Sequence, residues 1–295
     1  MVLRTLSDLS MEGQTVLLRV DFNVPISDGT IMDDTRLRAA IPTINAILSV
    51  PGTRVVLMSH LGRPNGKRQS ELSLSSVALY LEGLLSRKVV FAPDCIGSEV
   101  RHLVEILPRG GVLLLENLRF HSEEESGDRG FARSLASLGT IYVNDAFGAA
   151  HRAHASTSLL AKLLPSAAGL LMSSEVEVLS RLLANPKSPF VAVIGGAKVS
   201  TKFQVIQNLV PKIDKLLIGG AMAYTFLKAM GISIGNSLIE DELLSRVREM
   251  IKWTKDLGVE LMLPCDHVVS SSIHENSTYF TTHDDTVPDG LVGVD

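Results

Sequence analysis

Apolar residues recur along this chain in two alternating forms. Short, nearly unbroken apolar runs lie at Thr15–Val20, Arg54–Met58, Lys88–Phe91, Gly111–Leu115 and Thr140–Val143. Runs of this length read as strands buried on both faces of a sheet. Between them, apolar residues return every three or four positions, the period of a helix with one face on a core. Leu37, Ile41, Ile44 and Leu48 form one such stripe, behind Asp33 or Asp34, either of which can cap it. Further helices are expected around Ser75–Arg87, Ser98–Leu107 and Asp128–Leu138. A longer one is expected over Met172–Ala184. Its Ser174-Glu175-Val176-Glu177 fits a capping box, its stripe is Val176, Leu179, Leu182 and Leu183, and Asn185-Pro186 stops it. The rhythm then resumes with a strand at Phe190–Ile194 and a helical stripe of Val199, Phe203, Ile206 and Val210. A strand at Lys215–Ile218 and a helix through Tyr224–Met230 follow, with further strands at Val259–Leu263 and Asp266–Val269.

Strands alternating with helices at this spacing predict an α/β fold with doubly wound parallel sheets. Two such domains are expected, 1–171 and 186–295, joined by an interdomain helix over 172–185. In these sheets ligands bind beyond the carboxyl ends of the strands. Polar clusters fall there in the first half: Asp21-Phe22-Asn23, Ser59-His60-Leu61-Gly62-Arg63-Pro64, Glu116-Asn117-Leu118-Arg119 and Asn144–Arg152. Arg36 follows the first of them.

Taken singly, each arginine reads as a surface salt-bridge residue, and His60 as a structural hydrogen-bonding one. Asp21 reads either as a turn residue or as one that orients a substrate hydroxyl or a neighbouring arginine. Arg36, Arg63, Arg119 and Arg152, with His60 and His151, all follow strands. Together they demand an anion with several oxygens, because a guanidinium fork matches carboxylate or phosphate. His151 and His154 are three apart, but no third ligand is spaced to complete a metal site. Glu123-Glu124-Glu125 reads as a solvated turn.

The second half carries a different anion signal. Gly195-Gly196 allows a tight turn, and Ala197-Lys198 leads towards a helix on which Lys198 and Lys202, four apart, share a face. Two ammonium groups with free N–H groups at a helix start make an anion site. It is neither a P-loop nor a dinucleotide fingerprint. Gly219-Gly220-Ala221 repeats the unit, as for a nucleotide lying across strand ends. Anionic substrates on two halves facing across a cleft point to phosphoryl transfer.

Composition narrows the setting. The 295 residues are 45% hydrophobic and 20% charged, with net charge −4. That suffices for two real cores and excludes a broad nucleic-acid or membrane surface. Cys95 and Cys265 are the two cysteines, so a reducing compartment fits better than a disulfide scaffold. There is no apolar run of membrane-spanning length and no signal peptide, so a soluble cytoplasmic protein, with no nucleic-acid or membrane partner, is expected. Asn276-Ser277-Thr278 then reads as a chance glycosylation match.

Five segments together resemble the phosphoglycerate kinase family: R-V-D-F-N-V-P at Arg19–Pro25, S-H-L-G-R-P at Ser59–Pro64, E-N-L-R-F at Glu116–Phe120, D-A-F-G-x-A-H-R at Asp145–Arg152, and G-G-A-K-V-x-x-K at Gly195–Lys202. They come in family order. The resemblance implies reversible transfer between 1,3-bisphosphoglycerate and ADP, giving 3-phosphoglycerate and ATP in glycolysis, by a monomer using Mg2+ with the nucleotide. It implies a phosphoglycerate site of Asp21, Asn23, Arg36, His60, Leu61, Gly62, Arg63, Arg119, His151 and Arg152. It implies a nucleotide site of Gly196, Ala197, Lys198, Lys202, Gly219, Gly220 and Gly293, with Arg36 and Lys202 acting on the phosphoryl group in flight. Ala221 stands where many relatives have a third glycine. The family's Gly-Gly-Gly-Asp loop, which holds the magnesium–nucleotide, lies beyond Asp295. The resemblance therefore implies an incomplete second domain, with the activity of 1–295 alone left open. The alternative is a non-catalytic fragment or paralogue that binds phosphoglycerate.

Overall fold

The structure, a computed structural model, describes residues 3–27, 29–274 and 277–294. Asn276 lies outside them. Contacts divide the chain into two compact units, Met1–Leu179 and Ser180–Asp295.

The first unit is built on strands β1 (Thr15–Arg19), β4 (Arg54–Met58), β5 (Val89–Phe91), β6 (Val112–Leu114), β7 (Ile141–Asn144) and β8 (Ser166–Ala168). A two-residue ribbon, β2 (Ile26–Ser27) with β3 (Thr30–Ile31), follows β1. The six-stranded sheet is parallel, in the order β5-β6-β4-β1-β7-β8. From β1 the chain builds outward through β4, then returns to the other side with β7. The order thus reverses at β1, and loops leaving β1, β4 and β7 meet at one rim.

The unbroken apolar runs are explained by two cores. Val16, Leu18, Val55 and Leu57 pack on one face with Leu37, Ile44 and Leu81. Leu17, Val56, Met58 and Tyr142 pack on the other with Val100, Phe131 and Leu160. Each such leucine contributes about 1.5–3 kcal/mol by leaving water.

Helices at Thr35–Leu48, Ser75–Leu85, Ser98–Ile106 and Arg129–Ala136 match the sequence periodicity. Asp128 caps the last of these, its side chain accepting from Phe131 N at 2.7 Å. Of the two candidate caps for the first, Asp33 accepts from Thr35 N at 2.8 Å. Asp34 instead accepts from Tyr80 Oη and Arg38. The run Ser166–Ala168, with no β-branched residue, gives no strand signal yet forms β8.

The joining helix runs Leu170–Ala184, so Ser174 lies inside it and the expected capping box is not its start. Residues distant in sequence satisfy its first N–H groups. Thr43 Oγ1 accepts from Leu170 N at 3.0 Å, and Asp145 Oδ1 from Met172 N at 3.1 Å. A Cβ on Gly169 would run into the Asp145 carboxyl, so only glycine permits this approach.

The second unit is built on β9 (Val191–Gly195), β10 (Lys215–Gly219), β11 (Glu260–Met262), β12 (Val268–Ser270), β13 (Tyr279–Thr281) and β14 (Val292–Gly293). A parallel sheet takes the order β11-β10-β9, and an antiparallel one the order β13-β12-β14. The strand expected at Asp266–Val269 forms as β12, in the antiparallel sheet and not beside β11. The link 263–267 is too short for a parallel crossover, which takes a dozen residues or more. A strand buried on both faces is expected at β9, yet Val193 is 73% exposed, because within its unit only the Ala192 face is covered. A second cluster of Tyr224, Leu227, Ile234, Val269 and Val287 packs beneath the antiparallel sheet, and the larger core is Ile206, Val210, Leu216, Met222, Phe226, Val247 and Met250. It includes a helix at Leu244–Asp256.

Candidate functional site

Chain reversal at β1 gathers the first set of polar residues. Asp21 Oδ1 accepts from Asn23 N at 3.2 Å, and its Oδ2 takes Arg36 Nη1 at 2.8 Å. The Asn23 side chain reaches the next loop, where its Oδ1 accepts from Gly62 N at 2.9 Å. Gly62, at φ +61°, turns its carbonyl to Arg119 Nη1 at 2.8 Å. Asn117 stitches the same turn, donating to Leu61 O at 2.7 Å and accepting from Arg119 N at 3.1 Å. Arg119 is buried and faces the Glu125 carboxylate at 3.2 Å. Burial pulls its pKa below the usual arginine value, Glu125 opposes that, and Arg152 and Arg19 add to it.

His60 sits in the middle of this cationic field. Its ring pKa is pushed down to about 2, first by burial and then by Arg19, Arg119, Arg152 and Arg36. The imidazole is therefore neutral at any physiological pH. Arg152 is half-buried and has no side-chain ion pair among the described residues. Arg63 and His151 are exposed, and no side-chain hydrogen bond ties either to this network among the described residues.

Two residues read differently from the sequence. Glu124 is fully buried rather than solvated, and Glu125 pairs with Arg119. Arg19, at the end of β1, was missed as part of the site. It is 1% exposed, with Nη2 on His60 Nδ1 at 3.1 Å. The signal was present, since an arginine closing an apolar strand has to be paired.

One group of possible metal ligands was also unforeseen. Asp94, Cys95 and His121 bring ligand atoms within 4.8 Å of one another. They are already bonded: His121 Nε2 to Asp94 Oδ1 at 2.6 Å, and the Cys95 thiol to Glu116 O at 3.0 Å. Burial pushes that thiol well up, so it stays protonated. The bonds brace the Glu116–Phe120 turn.

Asp145 links this rim to the joining helix. It is 1% exposed, and its Oδ2 has no hydrogen-bond partner. Burial raises its carboxyl pKa, against the lowering effect of Thr43 and of Met172 and Leu171 N–H. A raised carboxyl pKa favours the protonated folded form. Its stabilising effect is full below the unfolded pKa and is lost as pH rises through the folded value. Asp145→Asn keeps an acceptor for Met172 N and removes the charge. It is expected to raise Tm near pH 7 by roughly 2–4 °C, the shift that about 1 kcal/mol gives in a unit of this size. The gain should shrink towards pH 4. Melting curves across that range check it, and a lower Tm at pH 7 would refute it.

In the second unit the two glycine turns lie side by side. Gly195 and Gly219 are paired in register, and Gly196 O accepts from Met222 N at 2.8 Å. A Cβ on Gly220, at φ +68°, would sit 3.0 Å from Gly196 N. The expected helix start is corrected. The helix is Phe203–Leu209, so Lys198 stands in the preceding loop and Lys202 just before the helix. The two lysines do not share a helical face.

That loop is held instead by Glu240, which accepts from Ser200 N at 3.0 Å and Ser200 Oγ at 2.5 Å. Burial would raise the Glu240 pKa, but these bonds, the Val199 N–H and the Lys198 charge bring it below the usual value. Lys198, Lys202, Gly196 and Ala197 are exposed. Ala197 and Gly293 line a cavity of about 720 Å³ with Ala221, Val268, Tyr279 and Val292. The size suits a small organic ligand. The strands β12–β14 together with the loop residues beside them, such as Ser272, Ile273 and Val294, supply most of that wall, which sequence reasoning missed apart from Gly293.

Comparison with known proteins gives consistent matches. The family model described as "Phosphoglycerate kinase" matches residues 6–295. Phosphoglycerate kinase of Moorella thermoacetica is 53% identical over 291 residues, covering 99% of this chain and 74% of that protein. That of Borrelia hermsii is 50% identical over 295 residues, covering 100% and 75%. A solved structure of phosphoglycerate kinase from Coxiella burnetii aligns with a TM-score of 0.82 at 38% identity, covering 99% of this chain and 74% of that one. The chain thus spans about three quarters of the length of these relatives.

Proposed function

The chain belongs to the phosphoglycerate kinase family, and from that premise we propose how its two anion-binding sets divide the work. The enzyme transfers a phosphoryl group reversibly between 1,3-bisphosphoglycerate and ADP, giving 3-phosphoglycerate and ATP in glycolysis. The 1–171 segment binds phosphoglycerate, and 186–295 binds the nucleotide. One observation carries the first assignment: a neutral, buried His60 lies in the field of Arg19, Arg36, Arg119 and Arg152. So many fixed positive charges around one uncharged donor suit a ligand with several anionic oxygens.

Asp21, Asn23, Arg36, His60, Arg63, Arg119 and Arg152 hold the phosphoglycerate, flanked by Leu61, Gly62 and His151. Asp21 keeps the exposed Arg36 fork aimed through the 2.8 Å bond. Gly196, Ala197, Lys198, Gly219, Gly220 and Gly293 take the nucleotide, and the bare backbone of the paired glycine turns allows close approach of phosphates. The transferring group is metaphosphate-like, with charge spread over three oxygens, so positioned cations are the main requirement. Arg36 and Lys202 supply them.

Magnesium bound with ADP or ATP would supply charge that screens the nucleotide phosphates. The described residues of the glycine turns offer it no free carboxylate, since Glu240 is committed to Ser200. A monomer in the cytoplasm completes the reading. Among the described residues, no helix is long and apolar enough to cross a membrane.

Amide NMR tests the division. 3-Phosphoglycerate should move signals of 21–23, 60–63, 117–121 and 147–152, and MgADP those of 195–202, 219–221 and 268–293. If each ligand moves the other's set, the assignment fails.

A further inference from the structure

Arginine can only donate hydrogen bonds. The 3.1 Å contact from Arg19 Nη2 to His60 Nδ1 therefore requires an unprotonated Nδ1. A neutral ring must then carry its proton on Nε2. No described protein group bonds that nitrogen, so its N–H is available to a ligand.

Arg19 is itself locked. Its Nη1 donates to Val20 O, and its Nε donates to Ser156 Oγ at 2.9 Å. Ser156 is held by a single carboxylate: Ser156 Oγ donates to Glu124 Oε1 at 2.6 Å, and Ser156 N to Glu124 Oε2 at 2.9 Å. A hydroxyl committed to donating to Glu124 presents its lone pairs to Arg19, so the chain of bonds has one polarity. Tyr142 Oη fixes the Ser156 carbonyl at 2.7 Å. Ser156 also sits in a π-helical turn, Ala155–Leu159, an irregularity that recurs at functional sites. Arg19, Ser156 and Glu124 are 1%, 0% and 0% exposed. Glu124 is the buried counter-charge without which the Arg19 guanidinium would be stranded. His154 Nδ1 lies 3.9 Å from Glu124, too far for a hydrogen bond.

We propose that Glu124 is a positioning residue which, through the Ser156 hydroxyl and the Arg19 guanidinium, fixes His60 in one tautomer, with Nδ1 accepting and Nε2–H offered to the phosphoglycerate. The proposal rests on the reading of this rim as the phosphoglycerate site. It gives the acidic run a function that its composition conceals. It also explains why a histidine, not a fifth arginine, occupies the centre. The ring donates to an anionic oxygen without adding charge, and its state does not change across neutral pH. The groups facing it are Arg19 on β1, Arg36 on the Thr35–Leu48 helix, Arg119 after β6 and Arg152 after β7.

Long-range 15N–1H NMR of the ligand-free protein at pH 7 reads the tautomer directly. The wild type should show His60 protonated on Nε2 alone. Ser156→Ala breaks the relay and Glu124→Gln removes its charge. Both should give a mixed tautomer and raise KM for 3-phosphoglycerate by about threefold to tenfold, the range of one neutral hydrogen bond, with kcat little changed. Ser156→Thr, which keeps the hydroxyl, should restore the single tautomer. A wild-type His60 carrying its proton on Nδ1, or on both nitrogens, overturns the proposal whether or not the variants fold. So do folded Ser156→Ala and Glu124→Gln proteins with the wild-type tautomer. If the tautomer behaves as expected but His60→Gln leaves 3-phosphoglycerate affinity unchanged, the assignment of the rim fails while the relay stands.

Discussion

Lys202→Ala is expected to lower kcat by roughly 10³-fold or more, the scale set by other cations that act on this transition state, while KM for ADP changes only a few-fold. Lys202 is exposed, and its side chain has no partner among the described residues. Its structural duty falls to the backbone, whose N–H bonds Val199 O at 2.9 Å and whose carbonyl accepts from Ile206 N at 3.0 Å. Alanine keeps both bonds, so the loop and the helix after it should survive. On the proposed reading, what is lost is an ammonium needed most when the phosphoryl group is between its partners. Interactions made only in the transition state appear in kcat rather than KM. Steady-state kinetics in both directions checks this. A raised KM with normal kcat would mean that Lys202 binds only ground-state nucleotide.

Arg119→Ala should weaken 3-phosphoglycerate binding by about 1.5–3 kcal/mol, the usual worth of a hydrogen bond to a charged group. That is roughly a tenfold to 150-fold rise in Kd. The side chain is 4% exposed, so its bond to Gly62 O is also lost and the Leu61–Gly62 turn loosens. Glu125 is 37% exposed and can return to water, which limits the damage to stability. Calorimetry on the folded variant decides. Unchanged affinity would remove Arg119 from the site.

What was legible in the sequence was local. The apolar runs of β1, β4 and β6 and the stripe of Leu37 and Ile44 depend on neighbours a few residues away, and Asp128 caps the helix it precedes. Strand ends then told where Asp21, His60, Arg119 and Arg152 would emerge. The missing parts depend on partners far along the chain. Glu124 looks solvated among Glu123 and Glu125 until Ser156, thirty-two residues on, folds over it. Asp145 and Thr43 replace the expected box at Ser174 because a helix start accepts any well-placed oxygen. The stripe of Val247, Met250 and Thr254 was present in the Leu244–Asp256 segment, but it is diluted by charged residues. The chain path from Gly196 to Phe203 is set by Glu240, which no local pattern reveals.

The central position of β1 has a consequence for biosynthesis. β1 pairs with β4 in the register Val16↔Val55, but its other neighbour is supplied by Val16↔Ile141. At a synthesis rate of about 5–20 residues per second, Ile141 is made roughly 6–25 s after Val16. Once β4 has been made and until β7 follows, the nascent chain carries a half-built sheet in which the central strand β1 has one unpaired edge. Ribosome-bound nascent chains should accordingly gain protease resistance in one step, once β7 has cleared the exit tunnel.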